Sequence, residues 1–339
     1  MISSCQHATN KRVIHTLSKA MYDFNVKEVT QLIKHIFADK PLLQMCYPFE
    51  TMESLDSWLN DVLLTLHEAL PDIERRDNII ISGEASDNGM WVGCNGNYTG
   101  TFTKPWLGIP PTGRSVSMRY TEFYRFVDDK IVEMQAIWDI PELMMQAEVW
   151  PLSPSIGREW QVPGPATQDG LSLADRCAST SMNSLKIVSD MCTALGNHAS
   201  GGVDAMRLEE FWHPKCSWYG PAGIGSTRTI AGFRHCHQIP FLNGLPDRGP
   251  ISENHKFFAD NNYVAVTGWP AGMRMTVSDA GWLGIAPGRQ KITMRSLDFW
   301  RVQNGLIREN WVLIDLLSVY AQLNVDVLAR MKEMTSKYI

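Results

Sequence analysis

Hydrophobic positions along the chain change period in a fixed order, and that order occurs twice. From Asn25 the segment VKEVTQLIKHIF places Val26, Val29, Leu32, Ile33 and Ile36 on one helical face. Ser54 to Leu70 does the same with Leu55, Trp58, Leu59, Val62, Leu63 and Leu66, and Pro71-Asp72 closes it. Beyond that point the period drops towards two through NIIISG, MWVGCNGNYTGTF and a long hairpin, which predicts successive antiparallel strands. Residues 1–20 lack a comparable signal and are read as a loose arm or an additional helix. Helices followed by strands define an α+β domain.

The hairpin carries the strongest repeat. WLGIPPTGR from Trp106, SVSMRYTEFYRFV, a turn at Asp128-Asp129 and KIVEMQAIWD return as WLGIAPGR from Trp282, KITMRSLDFWRV, a turn at Asn304-Gly305 and LIRENWVLID. Trp106/Trp282, Met118/Met294, Arg119/Arg295, Phe123/Phe299, Arg125/Arg301, Glu133/Glu309 and Asp139/Asp315 all keep one separation, so the chain is one module used twice. Around the second copy, helices are expected over Leu171–Leu195 and Asp204–Trp212, strands in HKFFADNNYVAVTGW, and a closing helix with Leu316, Leu317, Tyr320, Leu323 and Val327 on its apolar side. Leu245-Pro246-Asp247 echoes Leu70-Pro71-Asp72. Between the copies, a Pro-, Gly- and Ser-rich stretch without periodicity is a linker. The expected division is domain 1 over 1–150, linker over 151–170 and domain 2 over 171–339.

Length and composition agree with two globular domains: 339 residues, 44% apolar and 20% charged. A net charge of -5 gives no electrostatic reason to expect nucleic acid or an acidic membrane as partner. Seven cysteines form no CxxC pair and, being odd in number, argue against a disulfide scaffold, so a cytoplasmic protein is expected. The N-terminus lacks the apolar core of a secretion signal, and no apolar run reaches the roughly 18 residues of a membrane span.

Pairing outward from the turns, with Gln303 opposite Leu306 and Val127 opposite Lys130, predicts which side chains share a face. In the second copy one face holds Met294, Ser296, Asp298, Trp300, Glu309, Trp311, Leu313 and Asp315; in the first, Met118, Tyr120, Glu122, Tyr124, Glu133, Gln135, Ile137 and Asp139. Carboxylates on an apolar wall have raised pKa values and suit acid/base work near neutral pH. Asp315, Asp139, Asp298 and Glu122 are therefore the candidate catalytic acids. Trp311, Tyr98, Trp106, Trp282, Glu309, Glu133, Gln135, Trp300, Tyr124, Met118 and Met294 are the candidate substrate contacts. The alternative is that the acids meet water or arginines. Asp139 is also a plausible helix N-cap with Glu142 completing a capping box, whereas Ser318 stands at the matching place after Asp315. Arg119, Arg125, Arg295 and Arg301 are expected on the opposite face as structural residues. His235-Cys236-His237 has the alternation of a strand-borne metal motif, but no second cluster completes it, so no metal is assigned.

TGTF, WLGIPPTGR, EFYR, DDKIVE and the closing aspartate, with WLGIAPGR, LDFWR and NGLIRENW in the second copy, resemble the SnoaL-like polyketide cyclases of the nuclear-transport-factor-2-like superfamily. The resemblance implies two tandem cone-shaped α+β domains, each a curved antiparallel sheet wrapped over helices around an apolar pocket. It implies cofactor-free lyase or isomerase chemistry next to a carbonyl, with the aspartate ending the last strand (Asp139, Asp315) as acid/base and Trp311 beside it. A histidine frequent before TG in the family is Tyr98 here and has no titratable counterpart near Pro270-Ala271-Gly272; His255 is the nearest histidine. The expected partner is a small hydrophobic or carbonyl-containing molecule, with the two copies forming an intrachain pseudo-dimer that is open to further homo-oligomerisation. The alternatives are a non-catalytic binding protein for a hydrophobic metabolite, or one active copy beside one degenerate copy.

Overall fold

The computed structural model describes residues 4–278, 281–286 and 288–336. The chain folds as two compact units. The first takes in the chain to Pro151, Pro163–Asp175 and the C-terminal segment from Asp326; the second comprises Leu152–Val162 and Arg176–Val325. The stretch expected as a linker is thus shared between them. Gly157 N–H donates to Ile224 O at 2.8 Å and Arg158 exchanges bonds with Ser226, whereas Ile80 N–H donates to Gly170 O at 2.8 Å and the Lys11 ammonium to the carbonyls of Ser172 and Ala174 at 2.9 Å. An aperiodic segment still has backbone groups to satisfy, and here sheet edges and a buried lysine satisfy them.

In the first unit residues 4–22 form a helix, Ser4–Tyr22, and the helix Val26–Ile36 starts where Asn25 accepts from the N–H groups of Lys27 and Glu28. The third helical stretch, Leu55–Ala69, is capped by Ser54 and contains a π-helical turn, Trp58–Leu63. The strands are β1 (Phe37–Met45), β2 (Thr51–Met52), β3 (Glu74–Glu84), β4 (Met90–Thr101), β5 (Ser115–Val127) and β6 (Lys130–Trp138), in the order β2-β1-β6-β5-β4-β3. All neighbours are antiparallel except β1 and β6. The sequence pattern does not predict β1, because FADKPLLQM contains Pro41 and no alternation; its pairing with β6 makes it a strand.

The second unit has β7 (Trp212–Tyr219), β8 (Ser226–Arg228), β9 (Gly249–Pro250), β10 (His255–Asp260), β11 (Tyr263–Gly268), β12 (Met273–Thr276), β13 (Lys291–Met294), β14 (Ser296–Gln303) and β15 (Leu306–Ile314). They form a sheet β10-β11-β14-β15-β7-β8 and a smaller one β13-β12-β9. The first unit runs from Gly96 to Tyr98 in a continuous β4, but here Trp269-Pro270-Ala271-Gly272 intervene between β11 and β12. Pro270 has no N–H for a ladder, and the sheet divides there. The first helix is Ala178–Leu195, shorter than expected. The closing helix is two, Leu316–Gln322 in this unit and Val327–Thr335 in the segment assigned to the first, with Asn324 left-handed between them (φ 60°). Among the described residues no helix is long and apolar enough to cross a membrane.

One local feature overturns the predicted faces. The turn pairs are as expected, Val127 with Lys130 and Gln303 with Leu306, but Arg125 then pairs with Glu133 and Arg301 with Glu309. Val132 and Arg308 are the extra residues of two β-bulges. A slip of one residue turns every later side chain of the strand to the other face. Glu133, Gln135 and Asp139 therefore lie with Phe123, Arg125 and Arg119, and Glu309, Trp311 and Asp315 with Phe299, Arg301 and Arg295. The expectation that they share a face with Glu122 or Asp298, opposite the arginines, is corrected accordingly.

Candidate functional site

The face that carries Asp139 and Asp315 is a set of ion pairs, all buried except the half-buried Arg125–Glu133. Arg119 Nη2 is 2.6 Å from Asp139 Oδ2, Arg295 Nη2 is 2.7 Å from Asp315 Oδ2, Arg125 Nε is 2.8 Å from Glu133 and Arg301 Nε is 2.5 Å from Glu309. Both aspartates also occupy helix N-cap positions. The capping expectation is reversed: Asp315 accepts from Ser318 N–H at 3.1 Å, whereas Asp139 makes no side-chain cap bond and Glu142 instead accepts from Arg119 N–H at 2.6 Å. Trp311 is buried 5.4 Å from the Tyr219 ring, and Gln135 donates to Glu133 at 2.7 Å. Each acid on this face has a guanidinium to neutralise it.

On the other face of the first unit the acid is Glu122, 1% exposed. Its carboxylate meets Arg75 Nη1 at 2.5 Å and accepts from Tyr98 OH at 3.0 Å, Tyr124 OH at 2.6 Å and Trp138 Nε1 at 2.8 Å. Arg75 also pairs with Asp77 at 3.1 Å and lies over the Tyr120 ring. Burial, and next the Glu122 charge, hold the Tyr98 and Tyr124 hydroxyls well above the usual phenol range, so both remain donors. Trp106, 6.3 Å from Trp138, donates to Thr65 at 3.3 Å, and Met118 is buried opposite Tyr98. The ion pair and three donors occupy Glu122 completely, and water does not reach it.

Strand register identifies the corresponding positions in the second unit, and the partners are gone. Glu122, between Cys94 and Ala136, becomes Asp298, between Val266 and Val312. Tyr124 becomes Trp300, Trp138 becomes Ile314, Tyr98 becomes Met273, and Arg75 becomes Pro250. Among the described residues Asp298 keeps one hydrogen bond, from Ser296 Oγ at 2.8 Å. Burial pushes its carboxyl up to about 7, against the smaller opposing effect of Ser296. Nevertheless the residue is only half-buried. Two residues along, on the same face, Trp300 Nε1 is buried with no hydrogen-bond partner among the described residues.

The helices over this face bring residues that the sequence reading did not select. Cys192, on Ala178–Leu195, is pushed up to about 12 by burial and, secondarily, by the charge of Asp298. His237 lies in a π-helical turn, Arg234–Gln238, not in a strand, so His235 is exposed while His237 turns inward. Its ring stacks on Trp218 at 4.2 Å and 12°, and Trp218 opposes Asn310, which opposes Trp300 on the acid's face. Burial, helped by Arg248, pushes His237 down to about 3, so it is a neutral imidazole. Phe241 lies 5.2 Å from His237 and 5.6 Å from Trp282, and Met294 is buried opposite Met273. His255 opposes Gly268 and, with Ser296, belongs to the same face. A separate groove of about 370 Å³, bordered by Asp190, Asn197, Arg207 and Phe211, contains no hairpin residue. Among the described residues, no three His, Cys, Asp or Glu side chains converge as a metal site would require. Aligning the two copies across Leu70-Pro71-Asp72 and Leu245-Pro246-Asp247 sets His237 against Val62, a signal of changed chemistry that the sequence already contained.

Each unit thus has a mainly antiparallel sheet with a parallel strand near its edge, helices over one face, and on that face the hairpin acid Glu122 or Asp298. This is the α+β architecture of a curved sheet with helices, present twice. The model of the SnoaL-like polyketide cyclase family matches residues 16–147 and again 199–323, and the chain belongs to that family. Similar solved structures include AclR from Streptomyces galilaeus (19% identity, 45% of this chain and 88% of that one, TM-score 0.37). They also include IdmH from Streptomyces antibioticus (20%, 41% and 97%, 0.34) and an NTF2-like protein from Burkholderia xenovorans LB400 (15%, 42% and 96%, 0.33). A comparison with curated proteins gave no match.

Proposed function

We propose that the second unit is the catalytic copy, a lyase or isomerase site for a hydrophobic carbonyl compound, and that the first unit is its structural counterpart. One observation carries this reading: the acid that Arg75, Tyr98, Tyr124 and Trp138 neutralise in the first unit stands as Asp298 in the second with none of those partners. A carboxyl titrating at about 7 is matched to both removing and returning a proton at neutral pH. In the proposed step the Asp298 carboxylate takes a proton from the carbon next to a carbonyl, and Trp300 Nε1–H donates to the enolate oxygen. The enolate carbon then attacks a second carbonyl of the same molecule to close a ring. The neutral Asp298 gives its proton to the new alkoxide and ends ionised, as it began. Asp315 is assigned to holding its hairpin to the helix that follows it, and Asp139 to the ion pair with Arg119.

The test needs no knowledge of the natural substrate. Exchange of the α-hydrogens of 2-tetralone for deuterium in D₂O, followed by NMR, reports the first proton transfer. The intact protein is expected to accelerate exchange, Asp298→Asn to lose about 10²–10⁴-fold of the acceleration, and Glu122→Gln to retain it. Exchange by Asp298→Asn at the full rate would end the assignment.

A further inference from the structure

Ser296 stands where the first unit has Tyr120, at the separation that relates Asp298 to Glu122. In the first unit Tyr120 lies in a row with Gly96 and Asp77 across β5, β4 and β3, and its hydroxyl crosses the glycine to donate to Asp77 at 2.6 Å. A Cβ on Gly96 would lie 2.6 Å from that hydroxyl, so the crossing needs the glycine. In the second unit the same row begins with His255 opposite Gly268, and Gly268 and Ser296 lie one residue beyond the pair Thr267–Leu297. Here the histidine covers the glycine, with its Cδ2 3.3 Å from the place of a Gly268 Cβ. The serine hydroxyl turns along its own strand and donates to Asp298 Oδ2 at 2.8 Å.

Reach explains the exchange. Alternate residues of a strand stand about 6.6 Å apart on one face, a gap that a serine, an aspartate and one ordinary hydrogen bond fill and a tyrosine overshoots. A hydroxyl that serves an acid of the neighbouring strands in the first unit thus serves the hairpin acid in the second. Ser296 and Asp298 are both half-buried. β11 and β15 set Val266 and Val312 opposite Asp298. The titratable groups on the other elements packed here are Cys192 on Ala178–Leu195, His255 on β10, and His237 on Arg234–Gln238 with Arg248 acting on it. Burial pushes Cys192 up to about 12 and His237 down to about 3 and lowers His255, so all three are neutral at pH 7. The Ser296 dipole is then what answers the charge of Asp298.

We infer that Ser296 is the positioning residue of Asp298: its O–H holds Oδ2 in both protonation states, so that the proton taken from the substrate is carried on Oδ1. This rests on the proposed function of Asp298 and deepens it by naming the oxygen that works. Ser296 keeps its own proton throughout. A hydrogen bond to an ionised oxygen is stronger than one to a neutral oxygen, so the serine also holds Asp298 below the value that burial alone would give.

The test removes the hydroxyl and then restores it in the full chain. ¹³C NMR of labelled aspartate follows the titration, with the Asp298 signal identified by its absence from Asp298→Asn, and deuterium exchange into 2-tetralone from pH 5 to pH 9 gives the rate profile. Ser296→Ala is expected to raise both midpoints by about 1 pH unit. Ser296→Thr, which keeps a hydroxyl, is expected to return both to the parent value, with circular dichroism confirming that the two variants are folded. A serine that only supports the fold would lower the rate at every pH and move neither midpoint; that result, or a midpoint that falls in Ser296→Ala, overturns the inference. The two readings fail separately. Exchange that no form of the protein accelerates ends the acid/base function, even where the Asp298 signal still moves with Ser296. A signal that stays in place, while Asp298→Asn abolishes exchange, leaves that function standing and ends the positioning by Ser296.

Discussion

Replacing Asp298 by Asn should stabilise the protein, and the gain should depend on pH. The unfolded chain releases the Asp298 proton near 3.8, but the folded one holds it to about 7. Between those values the folded state binds more protons, so stability falls as pH rises through the window and the whole loss is present above about 7. At about 1.4 kcal/mol for each pH unit between 3.8 and about 7, the cost is about 4 kcal/mol. Water reaching the open side of the residue reduces it to about 2–4 kcal/mol. Asparagine has the same shape and no charge to desolvate. At pH 8 Asp298→Asn is therefore expected to be about 2–4 kcal/mol more stable than the parent, and at pH 4 to differ by less than about 1 kcal/mol. Urea unfolding followed by tryptophan fluorescence across that pH range measures the difference, and ¹³C NMR of labelled aspartate gives the titration directly. A gap that does not change with pH, or a carboxyl titrating below about 5, refutes the assignment of Asp298 as the poised acid.

His237 has the opposite sign: its folded pKa lies near 3 against 6.5 unfolded, so its contribution is complete above 6.5 and is lost as pH falls. His237→Val is expected to flatten the acid-side slope of stability between pH 6.5 and 4, and an unchanged slope in the same urea series contradicts the placement of His237. Glu122→Gln strips Arg75 of a buried partner and is expected to cost about 3–5 kcal/mol, read as a lower thermal midpoint, with α-hydrogen exchange spared. Deleting Arg308 removes the bulge and would force Glu309, Trp311 and Asp315 to the other face; the expected outcome is loss of the cooperative melt by circular dichroism, and a stable folded deletion variant would contradict the register.

The duplication, the α+β order of elements and the acid at the middle of each hairpin are written in local pattern. Period, turn residues and constant spacing survive without any tertiary contact, and so Glu122 and Asp298 were legible as a matched pair. Which face each acid shares was not legible, because one extra residue at Val132 or Arg308 has no local signature and inverts everything beyond it. The difference between the copies around this acid was not legible for the same reason. Arg75 and Tyr98 reach Glu122 from other strands, and their replacement by Pro250 and Met273 becomes visible only when pairing sets the strands side by side. A carboxyl's pKa is decided by what lies within a few ångströms of it. Sequence specifies the two acids, and the fold alone determines that one is neutralised and the other left to titrate near neutrality.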